Sequence, residues 1–281
     1  MSAGEAKRVG LIGDPVEHSL SPAFQQAAFD HIGLSIRYEL WHTPAERIAE
    51  RLAFLRSGEV LGANVTVPHK QAFFAAVDSV SDAARRAGAV NTIVVRDGHL
   101  HGENTDIHGF IVPLQERTFP FAASKAVVIG AGGAARGVLV ALLDAGIAEL
   151  IILNRTTQRA NELATQMVDH RVRAMPASDW RNAADGAALL VNATSLGWSD
   201  TTPVIDPAAF SLLAPNAIAY DLTYRTTHFL RAAAASGVAA LDGLDMLVHQ
   251  GARSFELWTG RPAPIDLMLA AGRAARAARE T

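Results

Sequence analysis

Val127-Val-Ile129 runs straight into Gly130-Ala-Gly-Gly-Ala-Ala-Arg-Gly137. An apolar run that stops at a glycine and continues as helix-forming residues reads as strand, tight turn and helix. Such a unit exposes an apolar strand and needs parallel neighbours on the same sheet. The chain downstream supplies them. Apolar runs at 126–129, 150–153, 188–192 and 217–220 predict strands, with helices between them over 134–145 and 157–169. That alternation predicts a doubly wound parallel sheet. With 281 residues, of which 49% are hydrophobic, there is chain enough for a second domain with its own core.

Gly130, Gly132 and Ala135 match the G-x-G-x-x-G/A spacing of a dinucleotide site, after a strand and before a helix. Glycines there let the backbone approach a pyrophosphate, and the helix start offers free N–H groups. A lone match is weak, because a tight glycine turn in any βα unit meets it. The next strand sharpens it. NAD sites end that strand in an acidic residue that holds the ribose 2′-hydroxyl. Here it ends in Asn154-Arg155-Thr156, followed by Arg159. Two guanidinium groups suit a 2′-phosphate, so the expected cofactor is NADP. The bland alternative is a surface Arg155 that caps or pairs locally.

The first half predicts a mixed α/β unit. Strands are expected over 9–13, 37–41 and 61–67, and a helix is opened by Ser21-Pro22, with Ser21 at its N-cap, and closed by Gly33. A second helix starts at Thr43-Pro44 and ends near Gly58. Asp97-Gly98 predicts a tight hairpin between strands. Helices are expected over 110–124, as a connector, and over 244–258 and 265–279. The expected domains are 1–108 completed by 246–281, and 109–245.

Three polar runs fall in that first half: His18-Ser-Leu-Ser-Pro22, Gly62-Ala-Asn-Val-Thr-Val-Pro-His-Lys70 and Gly102-Glu-Asn-Thr-Asp106. Together they read as a pocket for a small polyhydroxylated acid. Ser19 and Ser21 at a helix start can bind a carboxylate, although capping alone would explain Ser21. Lys70 beside a carboxylate such as Asp106 can deliver a proton to a developing alkoxide. Taken singly, Lys70 reads as a surface lysine and Asp106 as a turn residue. Spacing alone does not bring them together. His69 is expected to point away from Lys70 on an extended segment.

Other chemistries are excluded or weak. The chain has no cysteine, so thiolate catalysis, disulfides and cysteine-ligated metals are out. A formal net charge of −3 gives no global case for nucleic acid. The histidines lack the spacing of a metal set, so no metal is expected. Neither a secretory leader nor an apolar run of spanning length is visible, which predicts a soluble cytoplasmic protein. Arg273, Arg276 and Arg279 read as a solvated helix face.

Taken in order, these motifs resemble the shikimate dehydrogenase family. The resemblance runs from Gly13-Asp-Pro-Val-Glu-His-Ser-Leu-Ser-Pro22 to Ser254-Phe-Glu-Leu-Trp-Thr-Gly260, and includes Gly88-Ala-Val-Asn-Thr92, Asn192-Ala-Thr-Ser195 and Asp242 to Gly251. It implies NADP-dependent interconversion of 3-dehydroshikimate and shikimate in chorismate biosynthesis, possible as a homodimer, with Lys70 and Asp106 as the catalytic pair. The substrate carboxylate would lie on Ser19 and Ser21. The ring hydroxyls would lie on Asn64, Thr66, Asn91, Asp106 and Gln250, with Tyr224 nearby. Gly130, Ala131, Gly132, Gly133 and Ala134 would cradle the pyrophosphate. Asn154, Arg155, Thr156 and Arg159 would hold the adenosine phosphate, and Thr194, Ser195, Leu222 and Gly243 would line the nicotinamide half. Where the family often has His-Asn, this chain has Gln25-Gln26, which is expected to alter helix packing. A quinate/shikimate dehydrogenase using NAD or NADP stays open, as does a non-catalytic NADP-binding sensor.

Overall fold

The computed structural model describes residues 7–194, 196 and 203–280. It forms two compact units. One comprises the chain up to Gly109 together with Leu247 onward; the other is Phe110–Met246.

The first unit contains β1 (Lys7–Gly13), α1 (Ser21–His31), β2 (Ile36–His42), α2 (Ile48–Leu55), β3 (Val60–Val65), α3 (Lys70–Ala76), β4 (Ser79–Val80), α4 (Asp82–Ala87), β5 (Thr92–Arg96) and β6 (His99–Glu103). Its sheet has the order β2-β1-β3-β5-β6-β4. β1 pairs in parallel with β2 and β3, whereas β5 runs antiparallel to β3 and β6. β3 is central, which is why it is buried almost throughout. The hairpin joining β5 to β6 turns on Asp97 (φ 49°) and Gly98 (φ 76°), the two positive φ values that a tight turn between twisted strands requires. Ile12, Trp41, Leu55, Val65, Phe73, Ile93 and Leu100 form the core beneath this sheet.

α5 (Asp106–Glu116) leads into the second unit: β7 (Lys125–Ile129), α6 (Gly133–Asp144), β8 (Glu149–Asn154), α7 (Thr157–Met167), β9 (Val172–Pro176), α8 (Trp180–Ala184), β10 (Leu189–Asn192), β11 (Ile218–Asp221), α9 (His228–Ala235) and β12 (Ala239–Leu241). The strand order is β12-β11-β10-β7-β8-β9, parallel at every pairing. This is the doubly wound sheet expected from the strand–helix alternation. Val127, Ile129, Ile151, Leu153, Leu190 and Ala219 fill one core, closed by Phe210 and Phe229. α10 (Leu244–Thr259) then returns the chain to the first unit, where α11 (Ile265–Glu280) packs on α1.

Four local expectations are corrected. Leu20, not Ser21, occupies the N-cap of α1; Ser21 is its first helical residue, and its amide donates to Ser19 Oγ (3.1 Å). The helix expected from Thr43 begins instead as a 3₁₀ turn, Ala45–Arg47, before α2. Lys70 opens a helix rather than extending β3, because Pro68 ends the strand and 71–76 supplies helix formers. β9 and β12 are additional strands at the two sheet edges.

Gly62 tests the packing of the first unit. A Cβ there would collide with the Ile93 carbonyl and the Trp258 indole, whose Nε1 donates to that same carbonyl (2.9 Å). Gly62→Ala is expected to cost about 1–3 kcal/mol, the usual range for overpacking a filled core. A chemical-denaturation midpoint equal to that of the parent protein would refute this.

Candidate active site

In the first unit a lysine and an aspartate 36 positions apart in sequence meet. Lys70 Nζ donates to Asp106 Oδ2 at 2.6 Å, with the two side chains only 14% and 8% exposed. Lys70 comes from the first turn of α3 and Asp106 from the first residue of α5. The second carboxylate oxygen is also engaged, since Asn91 Nδ2 donates to Oδ1 at 2.9 Å. Asn91 reaches Gln250 Oε1 (3.2 Å) and Thr105 Oγ1 (2.9 Å) with the same amide, and its Oδ1 accepts from the Thr105 amide (2.6 Å). A carboxylate held from two sides orients the ammonium it pairs with.

The polar cluster continues inward. Asn64 Oδ1 accepts from the Tyr38 hydroxyl (2.8 Å), and its Nδ2 donates to Ser254 Oγ (2.9 Å) and Thr92 Oγ1 (3.1 Å). Burial pushes the Tyr38 phenol well above the ordinary tyrosine range, so it remains a protonated donor. Ser254 also donates to the Gln250 carbonyl (3.0 Å), one helical turn back on α10. Thr92 and Thr105 fall within motifs that the sequence marks without being named as site residues, whereas Ser254 and Tyr38 do not stand out. For Ser254 a signal exists, because Gln250 and Ser254 stand four apart on one helix face.

Ser19 is half-buried and Ser21 buried at the start of α1. The loop carrying Ser19 is gripped from the far end of the chain: Arg279 donates to the carbonyls of His18 and Ser19, the latter at 3.1 Å. Arg279 is exposed, as its spacing suggests, and makes these two bonds from the surface. Gln25 donates to the Gly251 carbonyl (2.8 Å), and Gln26 accepts from the Tyr38 amide (3.0 Å), closing the free edge of β2. Thr66 is half-buried just beyond β3, its amide bonded to the Ile12 carbonyl (2.8 Å). His69 is buried and turned to the Thr43 carbonyl (2.6 Å), away from the Lys70 pair.

The second unit carries the nucleotide motif at the carboxyl ends of its strands. Gly130 follows β7 with φ +115°, and a Cβ there would meet the Ala193 carbonyl at 3.0 Å; only glycine suits both demands. Gly132 is the N-cap of α6, with no side-chain cap, and a Cβ there would meet nothing within 4 Å. The first turn of α6 has no acidic residue, and Ala131, Gly133 and Ala134 leave it narrow. Arg155 and Arg159 are exposed beyond β8, and neither has a side-chain partner among the described residues. Asn154 Nδ2 donates to the Thr156 carbonyl (2.9 Å), shaping the turn that presents them. An open helix N-terminus beside two unpaired guanidinium groups fits a dinucleotide with an added phosphate. Thr194 follows β10, Leu222 and the half-buried Tyr224 follow β11, and Gly243 precedes α10. Ser195 lies outside the described residues. Among the described residues no group of three or more acidic or histidine side chains could hold a metal.

Three family models match along the chain: the shikimate dehydrogenase substrate binding domain over 11–93, shikimate / quinate 5-dehydrogenase over 113–215, and the shikimate 5'-dehydrogenase C-terminal domain over 243–271. A shikimate dehydrogenase (NADP(+)) of Symbiobacterium thermophilum is 43% identical over 98% of this chain and 96% of its own length. The chain belongs to the shikimate dehydrogenase family. A second relative so named, from Rubrobacter xylanophilus, is 43% identical over 92% of each chain. Among solved structures, the shikimate 5-dehydrogenase of Thermus thermophilus in complex with NADP(H) and shikimate matches with a TM-score of 0.85 and 42% identity, over 96% of this chain and 99% of that one. A quinate dehydrogenase of Corynebacterium glutamicum in complex with NAD shares the fold with a TM-score of 0.87 at 29% identity, over 96% of this chain and 99% of that one.

Proposed function

We propose that this chain catalyses the reversible, NADPH-dependent reduction of 3-dehydroshikimate to shikimate, a step of aromatic amino-acid biosynthesis in the cytoplasm. The observation that carries this reading is the Lys70–Asp106 pair at 2.6 Å, set in a cluster of amides and hydroxyls suited to a polyhydroxylated ring. The family, and the substrate and cofactor named for its 42–43% identical relatives, supply the reaction class.

Bound NADPH would supply hydride to the ketone carbon. The ketone oxygen then needs a proton, and Lys70 is the donor this chain offers, its ammonium aimed by Asp106. In the oxidative direction neutral Lys70 takes that proton back from the hydroxyl. Asn64, Thr66, Asn91, Asp106 and Gln250 would orient the ring through its hydroxyls, and Tyr224 is proposed as a further substrate contact. Ser19 and Ser21 would hold the carboxylate. Asn154, Arg155, Thr156 and Arg159 would bind the adenosine phosphate.

Quinate oxidation with NAD is the second reading, favoured by the name of the 113–215 match and by the quinate dehydrogenase relative. The two exposed arginines after β8 argue for NADP instead. Steady-state kinetics on shikimate and quinate, each with NADP and NAD, test both. Shikimate with NADP is expected to give the highest kcat/KM. A clear preference for quinate with NAD would overturn the proposal, and NADPH binding without turnover on either acid would point to a sensor.

A further inference from the structure

Asp221, the last residue of β11, is fully buried, and no cation pairs with it among the described residues. A buried carboxylate without a counter-ion is costly, so its environment must supply hydrogen bonds. Three donors converge on it. The Thr223 amide donates to Oδ1 (3.0 Å), while Thr227 Oγ1 (2.7 Å) and Asn192 Nδ2 (3.1 Å) donate to Oδ2. Burial nevertheless pushes the carboxyl upward, and these same bonds pull it back.

Each partner belongs to a different segment at the same end of the parallel sheet. Asn192 ends β10, Thr223 lies in the loop after β11, and Thr227 caps α9. The bonding continues beyond them. Asn192 Oδ1 accepts from the amide (3.0 Å) and hydroxyl (2.7 Å) of Thr194, and Thr194 Oγ1 accepts from the Leu196 amide (3.2 Å). The Leu222 amide donates to the Asn192 carbonyl (3.1 Å), and the Gly243 amide to the Thr223 carbonyl (2.8 Å). Thr194, Leu222 and Gly243, three segments far apart in sequence, are thus tied to one carboxylate.

We propose that Asp221 is the positioning residue that holds Thr194, Leu222 and Gly243 in register for the nicotinamide half of the cofactor. This rests on the reading above that those positions line that half. The polarity explains why an acid stands here. Every group reaching Asp221 is a donor, so only a side chain that accepts at both oxygens satisfies all of them. An asparagine would turn its own N–H against the Thr223 amide or Asn192 Nδ2. Turning Asn192 over to compensate would break its match with Thr194.

The test is titration of the full-length protein with NADPH, without shikimate, followed by nucleotide fluorescence. Asp221→Asn is expected to weaken NADPH about tenfold or more, the equivalent of one charge-assisted hydrogen bond. The KM for shikimate at saturating cofactor should stay unchanged. The reciprocal double substitution Asp221→Asn with Asn192→Asp restores each donor to an acceptor, with the Thr227 hydroxyl rotating to accept, and should recover affinity. A folded Asp221→Asn protein with wild-type NADPH affinity would overturn the proposal, as would a double variant no better than the single one. Should Asp221→Asn fail to fold, Thr227→Val removes one donor to Asp221 together with the cap that accepts from the Leu230 amide (3.3 Å), and Thr227→Asn keeps a capping acceptor as the control; weakened NADPH binding in Thr227→Val supports the proposal and unchanged binding overturns it. A wild-type protein that binds NADPH but does not turn over shikimate would remove the functional reading and leave this test intact.

Discussion

Lys70→Ala is expected to lower kcat by about 10²–10⁴, the span associated with a positioned proton-transfer group. The argument rests on geometry. The ammonium sits 2.6 Å from a carboxylate that is itself bonded by Asn91, and both partners are nearly enclosed. Removal of Lys70 also strands Asp106 as a buried charge, which can cost about 3–5 kcal/mol of stability. The measurement therefore pairs kcat at saturating shikimate and NADP with a thermal melt. Lys70→Ala combined with Asp106→Asn removes the stranded charge and should restore the melt without restoring the rate. A folded Lys70→Ala enzyme with near-normal kcat would end the proposed role.

Replacing Arg155 and Arg159 together by alanine is expected to raise the KM for NADP by about 10²-fold, while the KM for NAD changes little. Guanidinium bonds to phosphate contribute about 1.5–3 kcal/mol apiece, and each 1.4 kcal/mol is tenfold. Neither arginine is held by another side chain among the described residues, so the substitution breaks no internal ion pair. Its effect should fall on cofactor choice and leave stability alone. Equal losses with both cofactors would mean that the arginines do not read the 2′-phosphate.

The parallel sheet of the second unit is legible in the sequence because its inner strands are buried on both faces and so appear as unbroken apolar runs, as at Val127-Val-Ile129 and Leu150-Ile-Ile-Leu153. Its edge strands are not. β9 is half-exposed along its length and carries Arg173, and β12 buries only Leu241, so neither has the apolar signature. The site is legible in type but not in contact. The polar runs name Lys70 and Asp106 and the resemblance adds Asn91, whereas their meeting depends on how α3, the residue before β5 and α5 converge. The apolar run before Pro68 dominates the neighbourhood of Lys70 and masks the helix that it opens. Arg279 lies exposed as its spacing suggests, but helix spacing reports faces and not the distant carbonyls that a long side chain can reach.

The return of α10 and α11 to the first unit gives that unit a particular history during synthesis. Asn64, Asn91 and Gln25 are translated early, yet their partners Ser254, Gln250 and Gly251 are 159 to 226 positions further on. Until those residues leave the ribosome, the polar interior of the first unit has no lining on that side. The dinucleotide unit, contiguous from Phe110 to Met246, can complete itself first. A chain truncated after Met246 should therefore already retain NADPH while binding no shikimate, so cofactor capture would precede substrate recognition in the life of each molecule.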